Sequence, residues 1–108
     1  MITINIASEF SDTPGARYKK EDPFSGEEFR EQFLEKHFED EGDNEKIKIV
    51  LDGVEGYATS FLEETFGGLG RKYGVERVRK RFEFVSDEDP LLISEINKYI
   101  DDCEGYKK

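Results

Sequence analysis

The sequence contains very few of the residues that build metal centres and covalent active sites. Its 108 residues include one cysteine, one histidine and no tryptophan. A single cysteine cannot form an internal disulfide, and with one histidine it supplies too few ligands for a zinc site. Neither a P-loop nor the sequence patterns of serine hydrolases or zinc proteases occur along the chain. We therefore expect no catalytic residues, no metal site and no cofactor.

The sequence also lacks long apolar runs, and its basic residues are outnumbered by acidic ones. No stretch of about 18 apolar residues is present, so we expect no membrane span. The N-terminus lacks the basic start and apolar core of a signal peptide, which favours a cytoplasmic protein. Acidic residues outnumber basic ones by 26 to 16, which gives a formal net charge of −10. This balance argues against nucleic acid or an anionic membrane as the main partner.

The chain is instead rich in aromatic residues, with nine Phe and five Tyr. Each aromatic side chain can bury roughly 150–250 Å². A folded core is therefore expected even though 39% of the residues are charged. No internal repeat or low-complexity segment divides the sequence, and we predict one domain over residues 1–108.

Hydrophobic periodicity predicts strands that alternate with helices. Isoleucine at every second position predicts a half-buried strand over residues 2–6, and alternating phenylalanines predict another over residues 81–86. The nearly continuous β-branched run at residues 47–51 is typical of a central strand buried on both faces. A weaker signal indicates a short strand over residues 16–20. This alternation predicts an α/β layered fold.

Capping signals predict where three helices begin. Ser25 and Ser60 are each followed three residues later by a glutamate, which forms a capping box. Asp89-Pro90 supplies an N-cap and a proline at the first helical position. A short helical turn is also expected over residues 75–80. The predicted helix ends are Gly42, Gly74 and Gly105.

Three glycines interrupt the apolar pattern of the second predicted helix. They are Gly67, Gly68 and Gly70. Each glycine inside a helix costs about 1 kcal/mol relative to alanine. Their presence indicates close packing against another backbone, close packing against a partner, or an early end of the helix.

The strongest functional signal is the strand, loop and helix predicted over residues 46–74. Thr59 and Ser60 fall where this helix begins, and a helix N-terminus offers unpaired N–H groups and a positive dipole end. This helix N-terminus is therefore a favourable binding position for a phosphate. A purely structural role is also open for Ser60, because a capping serine contributes about 1 kcal/mol relative to alanine.

Charge is distributed unevenly along the chain. Residues 27–45 hold nine acids and two bases, whereas residues 71–81 hold six bases and one acid. The pattern is typical of two solvated faces that balance each other. It is also compatible with a docking surface that has acidic and basic ends.

The block VLDGVEGYATSFLEETFGGL at residues 50–69 resembles the signature of STAS domains, the sulfate-transporter and anti-sigma-factor-antagonist family. Asp52 matches the aspartate that ends a strand in that family, and ATSF at residues 58–61 stands at the position of its D-S-S-G-like element. With FSGEEFRE at residues 24–31, nearly the whole chain resembles bacterial STAS-like domains of unknown function. The resemblance implies a small mixed sheet of four to five strands with helices packed on it.

The resemblance further implies a regulatory protein-interaction module that acts as a switch. In anti-sigma-factor antagonists, a partner ATPase of the histidine-kinase-like class phosphorylates a serine at the helix N-terminus, and the unphosphorylated form binds that partner. By position, Ser60 is the first phospho-acceptor candidate and Thr59 the second. The expected partner-binding residues are Asp52, Gly56, Tyr57, Ala58, Gly67 and Gly68.

Two other functions stay open. The loop and helix N-terminus could hold a small anion or a nucleotide phosphate without covalent chemistry, with the bases of residues 71–81 as counter-charge. Alternatively, the acidic residues 27–45 could imitate nucleic acid and occupy a nucleic-acid-binding protein. An enzyme is the function that the sequence favours least.

Overall fold

The computed structural model describes residues 1–21, 23–40 and 42–103. Its sheet has three parallel strands in the order β1 (Ile2–Asn5), β2 (Ile47–Val50) and β3 (Phe82–Val85). The expectation of a mixed sheet with four to five strands is not met in the described part of the chain. Residues 16–20 form bends and turns, because the carbonyls of Ala16 and Arg17 accept hydrogen bonds from Gly26 and Glu27 at the start of the next helix.

The helices are short segments that combine into longer helical stretches. Those with α geometry are α1 (Ile6–Glu9), α2 (Gly26–Phe29), α3 (Thr59–Leu62), α4 (Gly68–Tyr73), α5 (Val75–Arg81) and α6 (Leu91–Asp102). A π-helical segment (Arg30–Leu34) and a 3₁₀ turn (Glu35–His37) continue α2, and we call residues 26–37 the first helix. A second π-helical segment (Glu63–Gly67) joins α3 to α4, and we call residues 59–73 the central helix. None of the described helices is long and apolar enough to cross a membrane.

The sheet contributes one face to the hydrophobic core. Alternate strand residues are buried there, among them Ile4, Ile49 and Phe82, and the rings of Phe82 and Phe66 meet edge to face at 5.5 Å. The other face is more open, since Thr3 and Glu83 are exposed and the outward residues of β2 are half-buried. The run at residues 47–51 is therefore the central strand, as predicted, but it is not buried equally on both faces.

The central helix is enclosed by its neighbours. It packs against the first helix on one side and against α6 on the other, and the side chains of Phe61, Phe66 and Leu69 have no exposed surface. A Cβ added at Gly70 would lie 2.6 Å from Cys103 Sγ, so glycine permits α6 to approach this closely. Cys103 is buried at this contact.

Hydrogen bonds from side chains fix both ends of the first helix, and two arginines of residues 71–81 act at its C-terminal end. Ser25 caps its start as predicted, since Ser25 Oγ accepts a hydrogen bond from the Glu28 N–H at 3.0 Å. The helix ends at His37 rather than Gly42, because Arg81 donates to the His37 carbonyl and Arg77 to the Phe38 carbonyl.

The later helix boundaries agree more closely with the sequence. Gly74 ends α4 with a φ of 101°, a left-handed conformation that glycine adopts readily. The helical turn expected over residues 75–80 is α5, and α6 begins one residue after Pro90. The predicted end of α6 at Gly105 lies outside the described residues.

Candidate functional site

Two loops meet at the end of the sheet where β2 and β3 finish. The Asp52 carboxylate accepts hydrogen bonds from the backbone N–H groups of Asp87 at 3.1 Å and Glu88 at 2.9 Å. In return, the Glu88 carboxylate accepts a hydrogen bond from the Gly53 N–H at 2.9 Å. Asp52, which we expected to contact a partner, is half-buried and ties these loops together.

Tyr57 fixes the loop that leads from β2 to the central helix. Its hydroxyl donates a hydrogen bond to the Leu51 carbonyl at 2.8 Å, and its ring stacks on Phe61 at 6.1 Å between centroids. Burial, followed by the nearby carboxylates of Asp52 and Glu88, raises the pKa of Tyr57 well above its ordinary value. The phenol of Tyr57 therefore stays protonated and keeps donating its hydrogen bond to the Leu51 carbonyl. The neighbouring Gly56 is exposed.

The central helix begins two positions earlier than the capping box predicted. Ala58 is its N-cap residue and makes no side-chain capping bond, so Thr59 and Ser60 are the first two helical residues. The predicted capping role of Ser60 is wrong, since the Glu63 carboxylate instead pairs with two arginines. Within the described residues, the hydroxyls and backbone N–H groups of Thr59 and Ser60 donate no hydrogen bond.

Thr59 is the more accessible of the two hydroxyl residues. It is exposed, whereas Ser60 is half-buried. Thr59 also lines both of the cavities at this end of the molecule. A kinase would reach Thr59 more easily than Ser60 in this conformation.

The first of these cavities, which we call the acidic cleft, has a volume of about 410 Å³. It opens at the carboxyl ends of β2 and β3, where ligands of open parallel sheets commonly bind. Its acidic lining residues are Asp52, Glu55, Glu88, Asp89 and Glu95. In the described part of the chain, no group of these or other acids is arranged to hold a metal ion.

The second cavity, which we call the arginine pocket, has a volume of about 420 Å³. Its lining residues are Arg17, Tyr18, Thr59, Glu63, Glu64, Arg71 and Tyr99. Glu63 lies between two guanidinium groups, with Arg17 Nη1 2.5 Å from its Oε1 and Arg71 on its Oε2. Burial alone would raise the pKa of Glu63, but hydrogen bonds from Arg71 and Arg17 outweigh it and lower that pKa.

The ion pairs continue from this pocket into the first helix. Arg30 Nη1 contacts Glu64 Oε2 at 2.5 Å and the Glu64 carbonyl at 2.8 Å, while Arg30 Nε contacts Glu35 Oε2 at 2.8 Å. Lys72 Nζ completes the set at 2.7 Å from Glu35 Oε1. Burial opposes ionisation of Glu35, yet the bonds from Lys72 and Arg30 lower its pKa. We call these seven residues, Arg17, Arg30, Glu35, Glu63, Glu64, Arg71 and Lys72, the ion-pair network.

Gly67 and Gly68 of the central helix leave room for side chains of this network and do not form an outer surface. A Cβ at Gly68 would lie 2.5 Å from Arg30 Nη1, and one at Gly67 would lie 2.6 Å from Glu63 Oε2. Both glycines are buried. They therefore belong to the close internal packing that was one of the sequence-based alternatives, and the surface open to a partner does not include them.

Sequence reasoning named the bases of residues 71–81 as counter-charge but paired no cation with Glu63 or Glu64. Two adjacent glutamates among the buried residues of the central helix were the signal, because a buried carboxylate requires a charged partner. Arg71 lies on the same helix. Arg17 and Arg30 reach it through contacts between residues 34 to 47 positions apart, which local sequence does not reveal.

Comparison with known proteins gives one match. A family model described as a STAS-like domain of unknown function matches residues 25–92, which is more than half of the chain. The matched region includes the first helix, β2, the central helix, β3 and the loop that precedes Thr59. No curated protein and no solved structure matches the chain.

Proposed function

Because the chain belongs to the family of STAS-like domains of unknown function, we propose that it is a regulatory module that docks a protein partner. The docking surface is the loop from Gly56 to Ser60 together with the acidic cleft beside it. The observation that carries the proposal is the placement of Thr59, an exposed residue whose hydroxyl forms no hydrogen bond with the described residues, in the lining of two cavities.

The proposed partner is an ATPase of the histidine-kinase-like class. The resemblance to anti-sigma-factor antagonists supports this choice. The five carboxylates of the acidic cleft add a chemical requirement, since a surface of one charge sign selects a complementary partner and speeds its approach. The docking face of the partner is therefore basic.

Phosphorylation of Thr59 or Ser60 is the proposed switch. A phosphate monoester carries a charge of about −1.5 to −2 at neutral pH. At the edge of the acidic cleft, this charge adds to the repulsion among the carboxylates and must be desolvated when the partner docks. The modified form binds the partner more weakly, and this chain performs no catalytic step of its own.

A charge-reversal pair tests the docking surface. Glu95 and Glu76 are both exposed, and neither carboxylate pairs with a described residue, but only Glu95 lines the acidic cleft. Tagged wild-type protein captures the partner from the native cell, and mass spectrometry identifies it. With the purified partner, Glu95→Lys is expected to weaken binding at least about tenfold at low salt, whereas Glu76→Lys leaves it unchanged. Equal affinities of both variants would refute the acidic cleft as the docking surface.

A second experiment tests the switch. The protein is incubated with the purified partner and ATP, and its intact mass is measured for wild type, Thr59→Ala and Ser60→Ala. One added phosphate that is lost in one of the two variants supports the proposal. An unmodified chain, together with normal partner binding by Thr59→Asp and Ser60→Asp, would exclude it.

A further inference from the structure

The arginine pocket surrounds Thr59 with groups suited to a phosphate. Thr59 lies four residues before Glu63 on the central helix, a spacing that places both on the same helical face. Glu63 holds the guanidinium groups of Arg17 and Arg71 next to this face. The phenol hydroxyls of Tyr18 and Tyr99, which also line the pocket, form no hydrogen bond with described residues. Four donor side chains therefore line the cavity that Thr59 also lines.

The ion-pair network as a whole has one positive charge in excess. It contains four cations, Arg17, Arg30, Arg71 and Lys72, against three carboxylates, Glu35, Glu63 and Glu64. In the arginine pocket itself, Arg17 and Arg71 are balanced by Glu63 and Glu64, so a phosphate must compete with Glu63. Arginine side chains bind phosphate oxygens through two parallel hydrogen bonds. Arg71 already contacts Glu63 through two nitrogens, whereas Arg17 contacts it through Nη1 alone and is the arginine that a phosphate can recruit.

We propose that the arginine pocket receives a phosphate carried on Thr59, and that Arg17 turns from Glu63 to its oxygens while Arg71 stays paired with Glu63. This inference rests on the proposed function and assigns its switch to Thr59 instead of Ser60. In the transfer, the bond between Thr59 Oγ1 and the γ-phosphorus of ATP forms while the bond from that phosphorus to ADP breaks. The hydroxyl proton passes to a base of the kinase, and ADP leaves.

The backbone around Arg17 permits this exchange. The Arg17 carbonyl accepts a hydrogen bond from the Glu27 N–H at 3.0 Å, and the Ala16 carbonyl accepts one from the Gly26 N–H at 2.8 Å. These bonds fix the segment to the start of the first helix. The Arg17 side chain is 31% exposed, so it can rotate toward Thr59 while its backbone stays in place.

The ionisation of the phosphate itself provides the test. The whole chain is prepared with phosphothreonine at position 59 or phosphoserine at position 60, and ³¹P NMR follows each phosphate from pH 4 to 8. Neighbouring guanidinium groups favour the dianion, so the second pKa of phosphothreonine 59 is expected to lie at least about 0.5 unit below its value in the urea-unfolded chain. Phosphoserine 60 is expected to show a smaller shift.

Two arginine variants separate the pocket from the general field of the protein. Arg17→Gln removes a charge from the arginine pocket, whereas Arg79→Gln removes the same charge from α5, where Arg79 pairs with Asp101. Only Arg17→Gln is expected to return the phosphate pKa toward its unfolded value. Equal pKa values in the folded and unfolded chains, or equal effects of both variants, would overturn the proposal.

A further titration distinguishes free phosphate from a phosphate on Thr59. The experiments also test the arginine pocket separately from the proposed function. Inorganic phosphate is titrated into the unmodified protein while the Thr59 amide is followed by ¹⁵N NMR. Saturable binding that Arg17→Gln abolishes would assign the pocket to a free phosphate and overturn the covalent role. The ³¹P experiment uses no partner, so a lowered pKa with no kinase activity on Thr59 would refute the proposed function and not the pocket.

Discussion

Ser25 and Ser60 share a local sequence pattern but have different structural roles. Ser25 is fully buried, and its Oγ accepts the hydrogen bond that caps the first helix. At the central helix, the chain places Ala58 in the cap position and directs Glu63 toward Arg17 and Arg71. The capping box is a local signal, and a long-range ion pair overrides it because a partly buried carboxylate must be compensated.

Alanine substitution at the two serines measures this difference. We expect Ser25→Ala to lower the free energy of unfolding by about 1 kcal/mol, the usual contribution of a capping hydroxyl. Ser60→Ala is expected to change it by less than about 0.5 kcal/mol, since no bond is lost. Urea denaturation of both variants beside wild type checks the prediction. A loss at Ser60 equal to that at Ser25 would restore a capping role for Ser60.

Gly26 marks the closest approach of the first helix to the central helix. A Cβ added there would lie 2.6 Å from the Phe61 carbonyl oxygen and 3.0 Å from Thr65 Oγ1. The backbone cannot yield as a flexible side chain can, so we expect Gly26→Ala to destabilise the protein by about 1–3 kcal/mol. Gly56→Ala is the control, because its Cβ would meet nothing within 4 Å. Thermal denaturation of both variants would contradict this prediction if they unfolded at the same temperature.

At the scale of the element, the two π-helical segments bring the ion-pair network together. The segment Arg30–Leu34 begins with Arg30, and the segment Glu63–Gly67 begins with Glu63 and Glu64. A π-helical turn inserts one residue and shifts the positions that follow it around the axis. Sequence periodicity assumes a constant 3.6 residues per turn, so it predicted neither these segments nor their salt bridges.

Arg30 is the cation that links the first helix to the central helix. Its side chain is 13% exposed and contacts the carboxylates of Glu35 and Glu64. We expect Arg30→Met to destabilise the protein by about 3 kcal/mol, because Glu64 loses its closest cation and Glu35 keeps only Lys72. Lys19→Met is the matched control, since the Lys19–Glu31 pair is solvent-exposed and contributes little. Urea denaturation at pH 7 would contradict the prediction if the two losses were equal.

The same network makes stability depend on pH. The pKa values of Glu35 and Glu63 are lowered in the folded protein: burial opposes this shift, but hydrogen bonds from the neighbouring cations exceed it. A lowered folded pKa stabilises the protein above the unfolded value of about 4.3, and this contribution is lost as pH falls through the folded pKa. We expect the free energy of unfolding to decrease below about pH 4, with a shallower decrease in Glu63→Gln. Urea titrations between pH 3 and 7 check both the direction and the variant, and equal acid slopes would contradict the assignment.

At the scale of the whole molecule, the alternation of strands and helices could be predicted. Residues 2–6, 47–51 and 81–86 contain the three strands, because period-two and β-branched patterns report the pleat directly. Among the described residues the sheet has three strands, not the four to five that the family resemblance implied, and the weak strand predicted at residues 16–20 forms bends and turns. The carbonyls of that segment accept hydrogen bonds from the start of the first helix, and local sequence does not encode these contacts.

The candidate functional residues also differ in whether local sequence alone could place them. Thr59 and Ser60 could be placed at the start of a helix from the sequence, and the structure places them there. The assignment of Gly67 and Gly68 to a partner surface needed knowledge of what covers the central helix. Burial of that helix by two neighbours is a property of the assembled molecule, so it could not be inferred from the helix alone.

The contact between Cys103 and Gly70 allows the detachment of α6 to be measured by labelling the Cys103 thiol. The thiol is fully buried where α6 meets the central helix, so an alkylating reagent reaches it only when α6 detaches. The labelling rate of the native protein should therefore equal the intrinsic thiol rate multiplied by the fraction of molecules with α6 undocked. Gly70→Ala, which pushes a methyl group toward Cys103 Sγ, should raise that rate by at least about tenfold if the strain costs about 1.4 kcal/mol or more. Mass spectrometry of timed alkylation measures it, and an unchanged rate would show that α6 accommodates the methyl group without loosening.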